Sequence, residues 1–211
     1  METAKVLNER RSINFFEPGK SIPRAKINKV LSLANLSPSS FNLQPWEVVE
    51  VNDSVRKEVL QKCANNQPKV TESSVVFIII ANPNAVEENI DDVLDVNVKL
   101  GYTKPEALKA TKNMALSLYG DRDSLKRKIF AVKNASFFAM SLMIAAKGLG
   151  IETHPMDGIN EDMIKKEFNI PEDRIIPLII AMGYKKKGLK LRPRAYRRYL
   201  TKYVKYNNYS N

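Results

Sequence analysis

Apolar positions recur along the chain with two periods, and together they predict several helices and a few strands. In "SIPRAKINKVLSLANLS" the positions Ile27, Val30, Leu31 and Ala34 share one face of a helix that ends before Pro38. "WEVVEVN" has the alternating pattern of a strand. "SSVVFIIIAN" and "IIPLIIAMGY" are short and continuously apolar, so we expect two central strands, the first buried on both faces.

The longest helical pattern runs from Ser124 to Lys147 and is apolar or small almost all round. A helix on the surface of a monomer keeps a polar face, so we expect this helix to form a contact between two subunits. The residues that place apolar surface on more than one face are Phe137, Ala139, Met140 and Ala145. The alternative is a buried core helix in a monomer.

The remaining patterns predict shorter elements. We expect a helix over residues 3–10, a helix capped by Asp53, weakly patterned helices over 85–119 and a short helix in "EDMIKKEFNI". "HPMDGIN" is predicted to be a turn-rich loop. Few strands among many helices, without regular βαβ alternation, indicate an α+β or α/β fold. No repeat or linker divides the chain, so we expect one domain over residues 1–211.

Composition narrows the possible classes of protein. The chain has 211 residues, of which 44% are hydrophobic, so it can bury a sizeable core. A single Cys63 and a single His154 argue against a disulfide framework and against a metal site. No N-terminal signal and no apolar run of membrane-spanning length is found, so the expected location is cytoplasmic, with no membrane partner.

The net charge of +11 is concentrated in the C-terminal tail. Residues 185–205 contain ten Lys or Arg and no acid, which leaves 24 basic and 23 acidic residues elsewhere. Such a block is typical of nucleic-acid, membrane-surface or phosphate binding, and equally of a solvated tail.

Four segments stand in a distinctive order. They are "RRSINFF", "ANLSPSSFNLQPWEVVEV", "NASFFAMSLMIAAKGLGIETHPMDGIN" and "IIPLIIAMGY" followed by "RPR". Each alone is a weak motif, and the chain has neither GxGxxG nor a phosphate-loop motif. Together they resemble the FMN-dependent nitroreductase family over almost the whole chain, with only about 85–123 undistinctive.

The resemblance implies an α+β fold with a mixed, largely antiparallel central sheet flanked by helices, a long dimer-interface helix and an extended C-terminal tail. It implies a homodimer with FMN at the interface and NADPH or NADH as co-substrate. Hydride would pass in a ping-pong reaction through FMN to a nitroaromatic, a quinone or a related small acceptor. No nucleic acid is then expected as a partner. The alternatives are another flavin task (dehalogenation or flavin breakdown) and a basic nucleic-acid-binding protein. Whether residues 85–123 form a substrate lid stays open.

The resemblance also assigns residues to the flavin phosphate. Arg10, Arg11 and Ser12 would meet it from the N-terminal segment, through charge-assisted bonds and a hydroxyl. Arg192 and Arg194 would reach it from the tail. Arg197 and Arg198, a few residues further on, receive no partner.

A second group would follow the edge and ribityl chain of the flavin from the neighbouring subunit. These residues are Pro38, Ser39, Ser40 and Asn42, whose hydroxyl and amide groups can pair with ribityl oxygens. Gln44 and Trp46 are expected to hold the loop and the core in shape instead.

A third group would lie beside the flavin ring, and Asn66 and Lys69 match the family there. Lys69, near N1 and O2, would stabilise the negative charge of the reduced flavin. The alternative is a solvated lysine at a helix end. Asn14 stands where the family often has a basic side chain, which leaves Lys69 more isolated.

The "HPMDG" segment completes the expected site. A backbone N–H of Asp157 or Gly158 would point at flavin N5, and Pro155 and Met156 would pack behind the ring. His154 is interpreted as structural. No side chain is assigned a catalytic role.

Overall fold

The computed structural model describes residues 2–209 and has an α+β fold built on a four-stranded antiparallel sheet. The strands are β1 (Trp46–Val51), β2 (Val75–Ala81), β3 (Glu152–Met156) and β4 (Ile175–Gly183), in the order β1-β2-β4-β3. All three strand pairs are antiparallel. The parallel component of the expected mixed sheet is an isolated bridge between Ser12 and Thr153.

Eight α-helices surround this sheet in the described part of the chain. They are α1 (Thr3–Glu9), α2 (Arg24–Ala34), α3 (Ser54–Cys63), α4 (Lys69–Glu72), α5 (Ala85–Lys99), α6 (Leu108–Tyr119), α7 (Leu125–Gly148) and α8 (Glu161–Phe168). The Asp53 side chain caps α3 by accepting from the backbone N–H of Arg56, as predicted. Ser124 caps α7 in the same way.

The sheet has a hydrophobic core on each face. β2 is buried along its whole length, because its alternate side chains enter the two cores. One core contains α7, α2 and the α5–α6 hairpin (residues 85–119), and the other contains α3, α4 and α8. The continuous apolar pattern of β2 therefore results from burial on both faces, as predicted.

The long helix α7 packs against all four strands and still has apolar side chains in solvent. Ala139 is buried in the core, whereas Phe137 and Met140 are 45% and 38% exposed. By length and composition alone α7 could cross a membrane, contrary to our expectation from the sequence. Half of its most apolar window is buried inside the protein, and the core helix of a soluble protein passes the same test.

The segment "HPMDGIN" is partly a strand, which corrects the expectation of a loop. His154, Pro155 and Met156 belong to β3, an edge strand. Proline lacks the N–H that an interior ladder needs, but an edge strand tolerates it. Pro177 lies in the more central β4, where the pairing with β2 has a register shift between Ile79 and Ala81.

The C-terminal tail after β4 is extended and exposed, as predicted. Residues 185–209 contain no α-helix, and one 3-10 turn spans Leu200–Lys202. Where the tail leaves the sheet, Phe16 forms a bridge with Lys185. Gly183 permits this close approach, since a Cβ there would lie 2.9 Å from the Phe16 ring.

Candidate functional site

Four arginines from the two ends of the chain meet around one cavity. Arg10 and Arg11 follow α1, and Arg194 and Arg197 come from the tail. With Ser12 they line a cavity of about 200 Å³, which we call the arginine cluster. The guanidinium of Arg194 donates to the carbonyl of Arg10 at 3.2 Å and also to that of Asn8, so it fixes the tail on the end of α1.

The guanidinium of Arg10 is partly buried and incompletely hydrogen-bonded. Its Nη1 atom is buried and has no hydrogen-bond partner among the described residues. Burial lowers the pKa of Arg10, and the charges of Arg194 and Arg197 lower it further, while Glu152 opposes the shift. Glu152 itself is paired with Lys147 at 2.8 Å. A buried cationic donor without a partner is costly, so the cluster suits an anion with several acceptor oxygens.

A larger cavity of about 480 Å³ adjoins the same segment. Arg11, Asn14 and Arg192 line it, together with the apolar side chains of Phe15 and Leu191. Arg11 donates to the carbonyl of Pro193 at 3.2 Å, which holds the tail across the N-terminal segment. Asn14 and Arg192 therefore share a wall with Arg11, whereas the sequence interpretation placed Asn14 beside the flavin ring and Arg192 at the phosphate; Arg192 is absent from the smaller cavity.

The N-terminal segment is also hydrogen-bonded to β3 beside His154, which lies near Lys69. Ile13 donates its backbone N–H to the carbonyl of Thr153, and the Ile13 carbonyl lies 3.0 Å from His154 Nδ1. Burial lowers the pKa of His154, and the nearby positive charge of Lys69 lowers it further, while the bond to Ile13 opposes this. His154 thus lies between the N-terminal segment and Lys69, in surroundings that favour its neutral form.

Lys69 is connected to the loop after β3 through Gln67. Lys69 Nζ donates to Gln67 Oε1 at 3.0 Å, and Gln67 Nε2 donates to the Gly158 carbonyl at 3.2 Å. Asn65 donates to the same carbonyl at 3.1 Å, and both Asn65 and Asn66 have left-handed backbones, with φ of 52° and 54°. Lys69 is partly buried and hydrogen-bonded to Gln67, unlike the solvated lysine of the alternative interpretation. This burial lowers its pKa, against the opposing charge of Glu72.

Pro155 and Met156 do not form one surface. Met156 is buried in the core with α3 and α8, and neighbouring residues of a strand point to opposite faces. This corrects the expectation that both pack behind one ring. Pro155 is half-buried, and Asp157 and Gly158 are exposed immediately after it.

The loop of residues 38–44, which we call the hydroxyl loop, lies elsewhere on the same chain. Pro38, Ser39 and Ser40 line a cavity with Lys133 and Phe137 of α7. In the described residues, no hydrogen bond joins this loop to the arginine cluster, and the two line different cavities. Asn134, beside the loop, and Gly148, beside α1, are 14 residues apart on α7, or roughly 20 Å.

The hydroxyl loop has an unusual backbone. Phe41, Asn42 and Gln44 have φ values of 53°, 54° and 47°. Asn accepts the left-handed region, but for Phe and Gln it costs of the order of 1–3 kcal/mol each. Ser39 Oγ accepts from the Gln44 N–H at 2.9 Å and Gln44 donates to the Asn42 carbonyl at 3.1 Å, so both help to maintain this shape.

Trp46 has the structural role expected of it. Its indole N–H donates to Asn35 at 3.0 Å, and its ring stacks on Phe138 with centroids 5.4 Å apart. The sequence interpretation missed three other contributors: Gln67 as the link from Lys69 to Gly158, His154 beside Lys69, and Arg197 in the arginine cluster. Arg197 received no partner in the sequence interpretation, and the structure places it on the wall of the arginine cluster.

Comparison with known proteins extends these observations. The family model "Nitroreductase family" matches residues 7–184. MhqN of Bacillus subtilis strain 168, whose name places it among NAD(P)H nitroreductases, is 33% identical over 205 residues, which are 97% of this chain and 98% of MhqN. The crystal structure of ydfN from Bacillus subtilis, described as a nitroreductase, has a TM-score of 0.90 at 32% identity and covers 96% of this chain and 97% of its own. A nitroreductase-like structure from Exiguobacterium sibiricum, solved in complex with FMN, has a TM-score of 0.86 at 22% identity, with 98% and 97% covered.

Proposed function

Because the chain belongs to the nitroreductase family and is an NAD(P)H-dependent oxidoreductase of that type, we propose that it uses FMN to reduce a small acceptor. The acceptor is a nitroaromatic, a quinone or a related compound, and the reaction runs as two half-reactions of ping-pong type. FMN, when bound, would supply the ring that takes hydride from NADPH or NADH and passes it on.

One observation carries the choice of FMN: the arginine cluster has the chemistry of a monophosphate site. Arg10, whose Nη1 is buried without a hydrogen-bond partner among the described residues, lines a cavity together with three further arginines and Ser12. A phosphate offers several acceptor oxygens and two negative charges, which would satisfy the buried donor and reduce the repulsion among these cations. The FMN in the Exiguobacterium structure, which has the same fold, supports this identification.

The contacts from Ile13 to Gly158 fit the ring of the same ligand. Lys69 is a partly desolvated cation held by Gln67, and neutral His154 lies between it and the N-terminal segment. In our proposal Lys69 provides the positive charge for the reduced flavin, and its positive charge also keeps His154 from competing as a second cation. Asp157 and Gly158 offer backbone N–H groups on an exposed turn fixed by Asn65 and Gln67.

The hydroxyl loop implies a second subunit. It is separated from the arginine cluster of its own chain, yet its hydroxyl and amide groups suit the ribityl chain. We therefore propose a homodimer in which the hydroxyl loop of each subunit contacts the flavin held by the other. Phe137 of α7 lies beside this loop, and it provides apolar surface for the contact together with Met140, which is also exposed on α7.

The test is to purify the protein, record its absorbance and identify any extracted flavin by chromatography. We expect a yellow protein that releases FMN and oxidises NADPH or NADH faster when a quinone or nitroaromatic is added. Extraction of FAD, or a colourless protein that FMN does not reconstitute, would contradict the proposal.

A further inference from the structure

Three polar side chains outside the hydroxyl loop hold it in its left-handed shape. Asn89 of α5 donates to the Leu43 carbonyl at 2.8 Å. Asn134 of α7 accepts from the Ser40 N–H at 3.2 Å. The hydroxyl of Tyr119, at the end of α6, is hydrogen-bonded to the Ser40 hydroxyl.

Tyr119 is well placed to fix the Ser40 hydroxyl. It is 5% exposed, its ring packs on Phe130 with centroids 4.2 Å apart, and it meets the edge of Phe41 at 6.3 Å. A buried phenol donates its only proton to a partner that can accept it. When Tyr119 donates to Ser40, the Ser40 proton is free to point away from the core, toward the cavity that Pro38 and Ser39 line.

We propose that Tyr119 is a positioning residue for flavin binding, acting through Ser40. This inference rests on the proposed function, because it assumes that the hydroxyl loop contacts FMN. Asn134 fixes the backbone of Ser40 while Tyr119 fixes its side chain, so the pair presents one hydroxyl in one orientation. Asn89 fixes the next part of the loop at Leu43.

The arrangement also connects the flavin contact to the α5–α6 hairpin, since Asn89 and Tyr119 both belong to that hairpin. A displacement of the hairpin would release two of the three bonds that hold the loop. In this proposal the hairpin therefore helps to hold the hydroxyl loop in the shape that contacts FMN.

The experiment measures FMN affinity of the full-length protein by titrating FMN into its apo form and following flavin fluorescence. Tyr119→Phe removes the hydroxyl and keeps the ring, and we expect it to raise the FMN dissociation constant roughly three- to tenfold. The matched control is Tyr102→Phe. Tyr102 lies between α5 and α6 and is 78% exposed, so its variant should bind FMN as the wild type does.

A double-mutant cycle separates positioning from general damage to the fold. If Tyr119 acts through Ser40, the double variant Tyr119→Phe with Ser40→Ala should have about the same FMN dissociation constant as whichever single variant binds FMN less tightly. Thermal midpoints of all variants give the accompanying measure of stability.

Two results would overturn the inference: an unchanged dissociation constant for Tyr119→Phe, or effects of the two substitutions that simply multiply. In either case the wild type still binds FMN and the proposed function stands. Failure of the wild type itself to bind FMN would overturn the proposed function and this inference with it.

Discussion

Arg10 constrains the ligand more than any other residue of the cluster, because part of its guanidinium is buried and unpaired within residues 2–209. Its pKa is lowered first by burial and then by the charges of Arg194 and Arg197, while Glu152, which is itself paired with Lys147, opposes the shift. A bound anion would give the buried donor an acceptor, and the tail supplies the other donors.

The positions of the tail arginines predict how much each contributes to FMN affinity. Arg194→Ala should weaken FMN binding by about 1.5–3 kcal/mol, or roughly ten- to a hundredfold, since it removes a charged donor and also releases the tail from α1. Arg197→Ala should weaken it by roughly 1 kcal/mol, because Arg197 is an exposed member of the same cluster.

Arg198 is the matched control for both. Its guanidinium lies 5.6 Å from the centre of the Tyr203 ring, and it does not line the arginine cluster. FMN titrations into the three apo variants are the measurement. Equal losses for Arg197→Ala and Arg198→Ala would show that general charge, and not this cavity, attracts the ligand.

His154 makes stability depend on pH. Its pKa in the folded protein is lowered from 6.5, so the unfolded chain binds the proton more readily. The stability contributed by this shift is therefore fully present above the unfolded value of about 6.5, and it is lost as the pH falls from there through the lower folded pKa. His154→Asn keeps a donor for the Ile13 carbonyl but cannot titrate.

Urea unfolding of the apo protein at about pH 7.5 and 5.5 measures this difference. We expect the wild type to lose more stability on acidification than His154→Asn. His154 is the chain's only histidine, so no other imidazole contributes to the comparison. Parallel losses in the two proteins would exclude this group as the cause.

At the scale of elements, the α5–α6 hairpin is attached to α7 by a buried ion pair. Arg127 is 1% exposed and donates to both carboxylate oxygens of Glu87, at 2.6 and 3.0 Å. It also donates to the carbonyls of Pro83 and Gly120, which flank the hairpin. One side chain therefore fixes both ends of the segment.

Arg127→Met should destabilise the protein by about 3–5 kcal/mol, because it leaves two carbonyls without their donor and leaves Glu87 only the longer pair with Arg122 at 3.8 Å. The control is Lys112→Met, which removes an exposed pair with Asp91 at 2.7 Å and should cost less than about 1 kcal/mol. Urea unfolding followed by circular dichroism distinguishes them. Similar small losses would mean that the hairpin is held mainly by its apolar contacts.

The sequence predicted most elements because their hydrophobic patterns are strong, as in β2 and α7. It failed at β3, where Pro155 and the turn residues that follow conceal a short edge strand. The parts of the site that lie within one motif, such as Arg10 to Ser12, could be predicted. Contacts across the fold could not, because neither the Lys69–Gln67–Gly158 connection nor the Tyr119–Ser40 bond follows from local spacing.

At the scale of the whole molecule, the exposed side of α7 determines how subunits would meet. Phe137→Glu should convert a dimer to a monomer at micromolar concentration, since it places a charge in an apolar contact. FMN affinity should fall together with dimerisation if the hydroxyl loop serves the other subunit. Light scattering and FMN titration on the same sample measure both.

Val55→Glu is the control, because Val55 is a 64% exposed apolar residue of α3, away from α7. It should leave mass and affinity unchanged. A monomeric wild type that still binds FMN tightly would refute the proposed two-chain site.

The segment of residues 12–13, which covers the outer edge of β3, should also affect aggregation. Residues 12–13 bond to Thr153 and His154, and they continue directly from Arg10 and Arg11. Unless an anion offsets their charges, we expect repulsion among these arginines to weaken the bonds between this segment and β3, and an uncovered strand edge is a template for pairing with other chains. We therefore expect the flavin-free protein to precipitate sooner when it is stored in phosphate-free buffer than when it is stored in phosphate buffer. On the proposed function, the residues that bind the flavin phosphate would then also protect the protein's solubility.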